Sequence, residues 1–159
     1  MTLYDTLADA SRVWIYQAQS PVSEAIAVEI QQHIEHFSKQ WTSHNQALRA
    51  TGMLLHKQFI VLMVDESQAG ASGCSIDKSV HFIQALEGKY GINLFDRMSF
   101  TYKIGNEIHT APRDTFAQLY ADGVINDTTP VFDNLITTKG AFETSWIKPL
   151  GESWHKRMV

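Results

Sequence analysis

The run Phe59-Ile60-Val61-Leu62-Met63-Val64 constrains the fold more than any other stretch of the chain. Read with the two-residue period of a strand, it puts Ile60, Leu62 and Val64 on one face and Phe59, Val61 and Met63 on the other. A strand that is apolar on both faces needs cover on both, which excludes an open sheet with one wet face. The run closes at Asp65-Glu66. A glycine-rich turn follows, Ala69-Gly70-Ala71-Ser72-Gly73-Cys74-Ser75-Ile76-Asp77, and leads into a helix-period pattern.

Neighbouring segments supply the first layer. Arg12 to Ala18 is β-branched and aromatic and predicts a first strand. Ser20-Pro21 reads as N-cap and first helical residue, and Ile26, Ile30, Ile34, Phe37 and Trp41 then lay one apolar stripe along a helix. Thr42-Ser43-His44-Asn45 breaks that pattern. Leu48 to Leu55 pairs with the two-sided run as a hairpin turning near His56-Lys57-Gln58. Ile76, Val80, Ile83, Leu86 and Tyr90 predict a second helix stopped by Gly91, and Met98 to Ile104 a further strand that turns at Gly105-Asn106.

The resulting order, β-α-β-β-α-β, predicts an α+β fold with an antiparallel sheet and a ferredoxin-like core at about 12–110. A helical C-terminal extension at about 111–159 completes one domain over 1–159: Asp114 to Asp122 ends at Gly123, and Thr129-Pro130 opens another helix. Its large apolar groups, Phe132, Leu135, Phe142, Trp146 and Trp154, are one candidate cover for the second sheet face. A second copy of the chain is the other, so a homodimer is expected.

Composition removes several function classes. Thirteen Lys plus Arg against seventeen Asp plus Glu, with no basic stripe, disfavour nucleic acid as a partner, because that affinity comes from neutralising phosphates. The longest apolar run is far short of the roughly 20 residues that span a bilayer, so no membrane partner is expected. A single cysteine excludes an internal disulfide, and Met1-Thr2-Leu3-Tyr4-Asp5 lacks a signal-peptide pattern, so a cytoplasmic location is expected.

The topology brings the end of the first helix, the end of the two-sided strand and the start of the second helix to one sheet edge. Trp41, His44, Asp65, Ser72, Gly73, Cys74, Ser75 and Asp77 gather there. A helix N-terminus favours thiolate and binds anions through free N–H groups. The catalytic reading makes Cys74 a nucleophile, His44 its base and Asp65 the group that orients the base. The binding reading gives Trp41, Ser72, Gly73, Ser75 and Asp77 a small anionic ligand. A lone cysteine is more often a small buried hydrophobe, which is the expectation here. Arginine is missing six residues after Cys74, where Val80 stands, and no second cysteine follows at 77. No metal site is expected: Glu29, His33 and His36 share a helix flank but lack the usual partners. No cofactor is indicated.

The blocks Arg12-Val13-Trp14-Ile15-Tyr16-Gln17, Ala71-Ser72-Gly73-Cys74-Ser75-Ile76-Asp77, Leu94-Phe95-Asp96-Arg97 and Ser153-Trp154 look like a family of small uncharacterised bacterial proteins automatically labelled "ABC transporter ATPase". The resemblance covers most of the chain and brings no established function with it. Nucleotide hydrolysis does not fit the residues. The sole Gly-Lys pair, Gly88-Lys89, is followed by Tyr90 and has Ile83 where a P-loop needs its first glycine. Ligand binding at the glycine-rich turn is therefore the leading expectation, and a cysteine-dependent enzyme the alternative.

Overall fold

A computed structural model describes residues 1–159. After a short helix α1 (Leu3–Thr6), the chain forms β1 (Arg12–Gln17), α2 (Glu24–Gln40), the small strands β2 (Thr42–Ser43) and β3 (Gln46–Ala47), β4 (Arg49–Leu55), β5 (Phe59–Asp65) and α3 (Gly73–Tyr90). Then come β6 (Ser99–Ile104), β7 (Glu107–Pro112), α4 (Arg113–Ala121), β8 (Pro130–Phe132), α5 (Lys139–Ser145), β9 (Ile147–Pro149) and two closing 3₁₀ turns. The fold is α+β and every strand pair is antiparallel.

The two-sided strand β5 lies at the centre of a three-stranded sheet, β1-β5-β4. All seven of its residues are buried. Ile60, Leu62 and Val64 join Ile30 and Ile34 of α2 and Ile83 and Leu86 of α3 in one core cluster. Phe59, Val61 and Met63 join Val13, Ile15, Phe132 and Trp146 in another. The second face is thus covered by the same chain, which removes the reason the two-sided strand gave for a homodimer. A third cluster, Phe100, Phe116, Ile125, Val131 and Leu150, seals α4 and the 3₁₀ turns against the second sheet.

That second sheet is where the topology departs from expectation. In a ferredoxin-like sheet the fourth strand would lie along the outer edge of β1. Here β6 instead pairs with β7 and β8, in the order β7-β6-β8-β9. The cause is local. The Gly105 turn (φ 59°) zips β6 to β7 over six residue pairs, and β8 takes the other side of β6 at Tyr102–Val131. The C-terminal extension is accordingly not only helical. Thr129-Pro130 opens a strand, because Pro130 stands at the first position of β8, opposite Pro149, where a missing N–H is tolerated.

Two further boundaries moved. The α2 helix begins at Glu24 with Ser23, not Ser20, as N-cap: the Ser23 hydroxyl accepts the Ile26 amide, and Val22 N–H is drawn to the Lys57 carbonyl, which keeps the preceding segment extended. The break after Trp41 is a two-residue hairpin, with His44 and Asn45 at φ 50° and 67°. Asparagine accepts that conformation readily and histidine less so, hence the weak signal in the sequence.

Candidate functional site

The edge expected to carry the chemistry is partly assembled. Trp41 Nε1 donates to the Ser75 carbonyl at 2.8 Å, so the end of α2 does meet the start of α3. Trp41 itself is only 1% exposed and packs against Trp14 and Phe37, so its ring offers no face to a ligand. Ser72 and Ser75 form a capping box: Ser75 N–H donates to Ser72 Oγ at 3.2 Å, and Ser72 N–H to Ser75 Oγ at 2.6 Å. Both hydroxyls are committed to the helix start.

The turn also carries its own anion. Glu66 Oε2 accepts the Ala71 amide at 2.9 Å, and Oε1 lies 3.5 Å from the Arg12 guanidinium. A Cβ at Gly70 would stand 2.9 Å from Glu66 Oε2, so a side chain there would push the carboxylate aside. Asp65 is buried and accepts the amides of Ala8 and Ser67 at 3.1 and 3.0 Å, with Arg49 at 3.7 Å. The Ser67 hydrogen bonds, then that from Ala8, hold its carboxyl below the usual range, and Arg49 adds to them. Asp65 therefore secures the end of β5, and no hydrogen bond joins it to His44.

Gly73, Cys74 and Asp77 are exposed on the first turn of α3, and His44 is exposed on its hairpin. The expectation of a buried cysteine is corrected: Cys74 stands in solvent at the second position of the helix. No hydrogen bond links Cys74 to His44. None of the four main clefts is lined by any of these residues.

One cleft lies along the outer edge of β1, where the departure of β6 leaves a gap. Its cavity volume is about 50 Å³, and the adjoining space past Arg97 adds about 250 Å³. β1 supplies the floor with Ile15, Tyr16 and Gln17; the segment from Leu94 to Thr101 forms one wall; Phe132, Asn134 and Leu135 form the other, and Trp154 and His155 close one end. A second arm continues past Arg97 and Leu135 toward Val13 and Thr137.

Polar groups in this cleft are held by one another. Gln17 is buried, donates to the Ser99 carbonyl at 3.2 Å, and accepts from Thr101 Oγ1 at 2.7 Å and Asn134 Nδ2 at 3.0 Å. Asn134 Oδ1 in turn accepts from Trp146 Nε1 at 2.9 Å. Asp96 takes the Met98 amide, the Ser99 hydroxyl and Gln19 Nε2, and these bonds, the Met98 amide foremost, hold its carboxyl below the usual range. Arg97, beside it, is exposed and pairs with no carboxylate, while lining both arms of the cleft.

His155 is 1% exposed, with Nδ1 2.6 Å from Ser153 Oγ and its ring stacked on Trp154 at 3.8 Å. Burial pushes its pKa down to about 4, opposed by the charge of Asp133 and assisted by that of Lys148. Asp133 anchors this corner. It accepts from Lys148 Nζ at 2.7 Å, Trp154 Nε1 at 2.8 Å and the Leu135 amide at 3.0 Å. Burial alone would raise its carboxyl, but these bonds together lower it.

Sequence reasoning missed the cleft because its walls come from segments far apart in the chain, without motif spacing. The chain matches no protein-family model, no curated protein and no solved structure.

Proposed function

We propose that the protein is a small-ligand-binding domain whose site is the cleft beside β1, and that it takes a small molecule carrying an anionic group. One observation carries the reading: Arg97 is a cation without an acidic partner at the waist of a cleft whose other polar groups are already fixed in place. Prearranged polar groups in a partly apolar cleft are the usual make-up of a ligand site. The blocks Arg12–Gln17, Leu94–Arg97 and Ser153-Trp154, which carry the family resemblance, all contribute to its lining. The glycine-rich turn fits less well as a ligand site, since Glu66 already occupies its Ala71 amide.

Thermal unfolding with acetate, succinate or inorganic phosphate tests the reading. Ligand at 100 times its Kd is expected to raise Tm by roughly 5–10 °C in a chain of this size. Arg97→Gln is expected to keep the ligand-free Tm and lose most of that gain. A gain that is the same in Arg97→Gln, or absent with all three anions, would contradict the assignment.

A second reading is favoured by the exposure of Cys74: a cysteine-dependent enzyme with Cys74 as nucleophile and His44 as base. Iodoacetamide labelling of the native protein decides it. The reading requires labelling faster than in the unfolded chain and a marked loss of rate in His44→Ala. Labelling no faster than in urea removes it.

A further inference from the structure

The outer edge of β1 gives the proposed cleft a more specific ligand class. Paired with β5 through Trp14–Leu62 and Tyr16–Ile60, and continued by Ala18 N–H to the Gln58 carbonyl, the even residues of β1 turn their backbone groups toward β5. The odd residues turn theirs outward, as Val13 N–H confirms by donating to the Thr137 carbonyl at 3.0 Å. That pairing stops at once: the only bridge on this edge is Arg12–Thr138. Past it the chain from Asn134 to Ile136 swings away, with the Leu135 amide bonded to Asp133 instead. The outward N–H and C=O of Ile15, which lines the cleft, are left without a backbone or side-chain partner. An unpaired strand edge of this kind is a ready template for another extended chain.

The opposite edge of the same sheet is not left open in this way. On β4 the Leu54 amide is taken by Gln31 Oε1 at 2.9 Å. One edge is blunted and the other lies open inside a walled cleft.

We propose that the cleft binds the carboxyl terminus of an extended peptide, which adds a short antiparallel strand to β1 by pairing with Ile15 and places its terminal carboxylate on Arg97. The proposal rests on the cleft being the binding site and names its ligand. An N–H and a C=O offered side by side match a peptide backbone, which returns one of each, whereas a simple anion has no donor for the C=O and is held by Arg97 alone. The open stretch from Trp14 to Gln17 spans roughly 10 Å at about 3.3 Å per residue, enough for about three residues of ligand. Beyond it, the Gln17, Thr101 and Asn134 network blocks further pairing. Arg97 supplies the charge that a terminal carboxylate complements.

Amide NMR on the ¹⁵N-labelled full chain tests this, using three additions: a mixed-sequence tetrapeptide pool with free carboxylates, the same pool C-amidated, and butyrate. The free-acid pool is expected to shift Ile15 and Arg97 and slow hydrogen exchange at Ile15 about tenfold or more. Amidation is expected to weaken the effect by about tenfold, as is Arg97→Gln, and butyrate to shift Arg97 while leaving Ile15 exchange unchanged. If butyrate shifts the cleft and no peptide protects Ile15, strand addition is wrong and the small-anion reading stands. If no addition moves any cleft residue, both readings fall. Equal effects of the two pools overturn the carboxylate assignment. Concentration-dependent protection of Ile15 without peptide, alongside a doubled mass in sedimentation, would put a second copy on this edge and overturn the peptide.

Discussion

His155 couples the stability of the fold to pH. Its imidazole is held well below the ordinary histidine value of 6.5, at about 4, chiefly by burial. As pH falls from about 6.5 toward 4, the unfolded chain takes up a proton that the folded chain refuses, so stability is lost on the way down. A shift of that size corresponds to about 3 kcal/mol at full extent. His56 is lowered too, by burial and by Lys103, and acts with the same sign as pH falls below 6.5. The contribution of His155 is therefore read as a difference. Urea unfolding at pH 7 and pH 4.5 is expected to show a smaller loss in His155→Gln than in the parent chain. Equal losses would mean that the imidazole is not sealed as described. Asp65 and Asp133 are lowered carboxyls, and their stabilisation is lost only below about 3.8, outside this window. Of these residues only Asp65 stands out in the sequence, as a partner for His44, and no hydrogen bond joins the two. Cys74 stands out because it is the only thiol; sequence pattern cannot tell a thiol facing solvent from one facing the core when both follow a helix cap.

Two elements approach closely at Gly52 of β4. A Cβ there would stand 2.5 Å from Ile34 Cγ2 and 2.9 Å from Leu62 Cδ2, so α2 rides directly on the strand at this point. Gly52→Val is expected to destabilise by about 1–3 kcal/mol in denaturant unfolding, because α2 has to lift to make room. A change below the error of the measurement would contradict the close packing. Lys139 makes a different kind of link. Its buried ammonium donates to the carbonyls of Tyr4 and Leu7 at 2.8 and 2.9 Å and sits 4.5 Å from the Tyr4 ring, tying α1 to α5. Lys139→Met is expected to raise hydrogen exchange in residues 3–8 by about tenfold or more while β5 stays protected. Exchange unchanged in α1 would show that the lysine does not hold it.

At this scale the sequence was most legible where periodicity and stop signals agree. The α2 stripe through Ile30 and Ile34 and the stop of α3 at Gly91 (φ 63°) both appear as read. Pro130 misled because proline opens helices and strands alike, and only its register opposite Pro149 decides between them.

For the whole molecule, β5 set the layers, with helices on one side and the C-terminal segments carrying Phe132 and Trp146 on the other. That much follows from a strand apolar on both faces. The path of β6 does not, since pairing with β1 and pairing with β7 and β8 satisfy the same pattern of β-branched and aromatic residues. Its choice opens the gap along β1, so the candidate site is a product of topology, and no local motif announces it. No helix is long and apolar enough to cross a membrane.

The most direct test of this account maps where a ligand lands. With succinate or a free-acid peptide added to the ¹⁵N-labelled chain, amide shifts are expected to cluster at Gln17, Arg97, Thr101 and Asn134, with Gly73, Cys74 and His44 unmoved. Shifts confined to Gly73, Cys74 and His44 would contradict it and return the site to the glycine-rich turn.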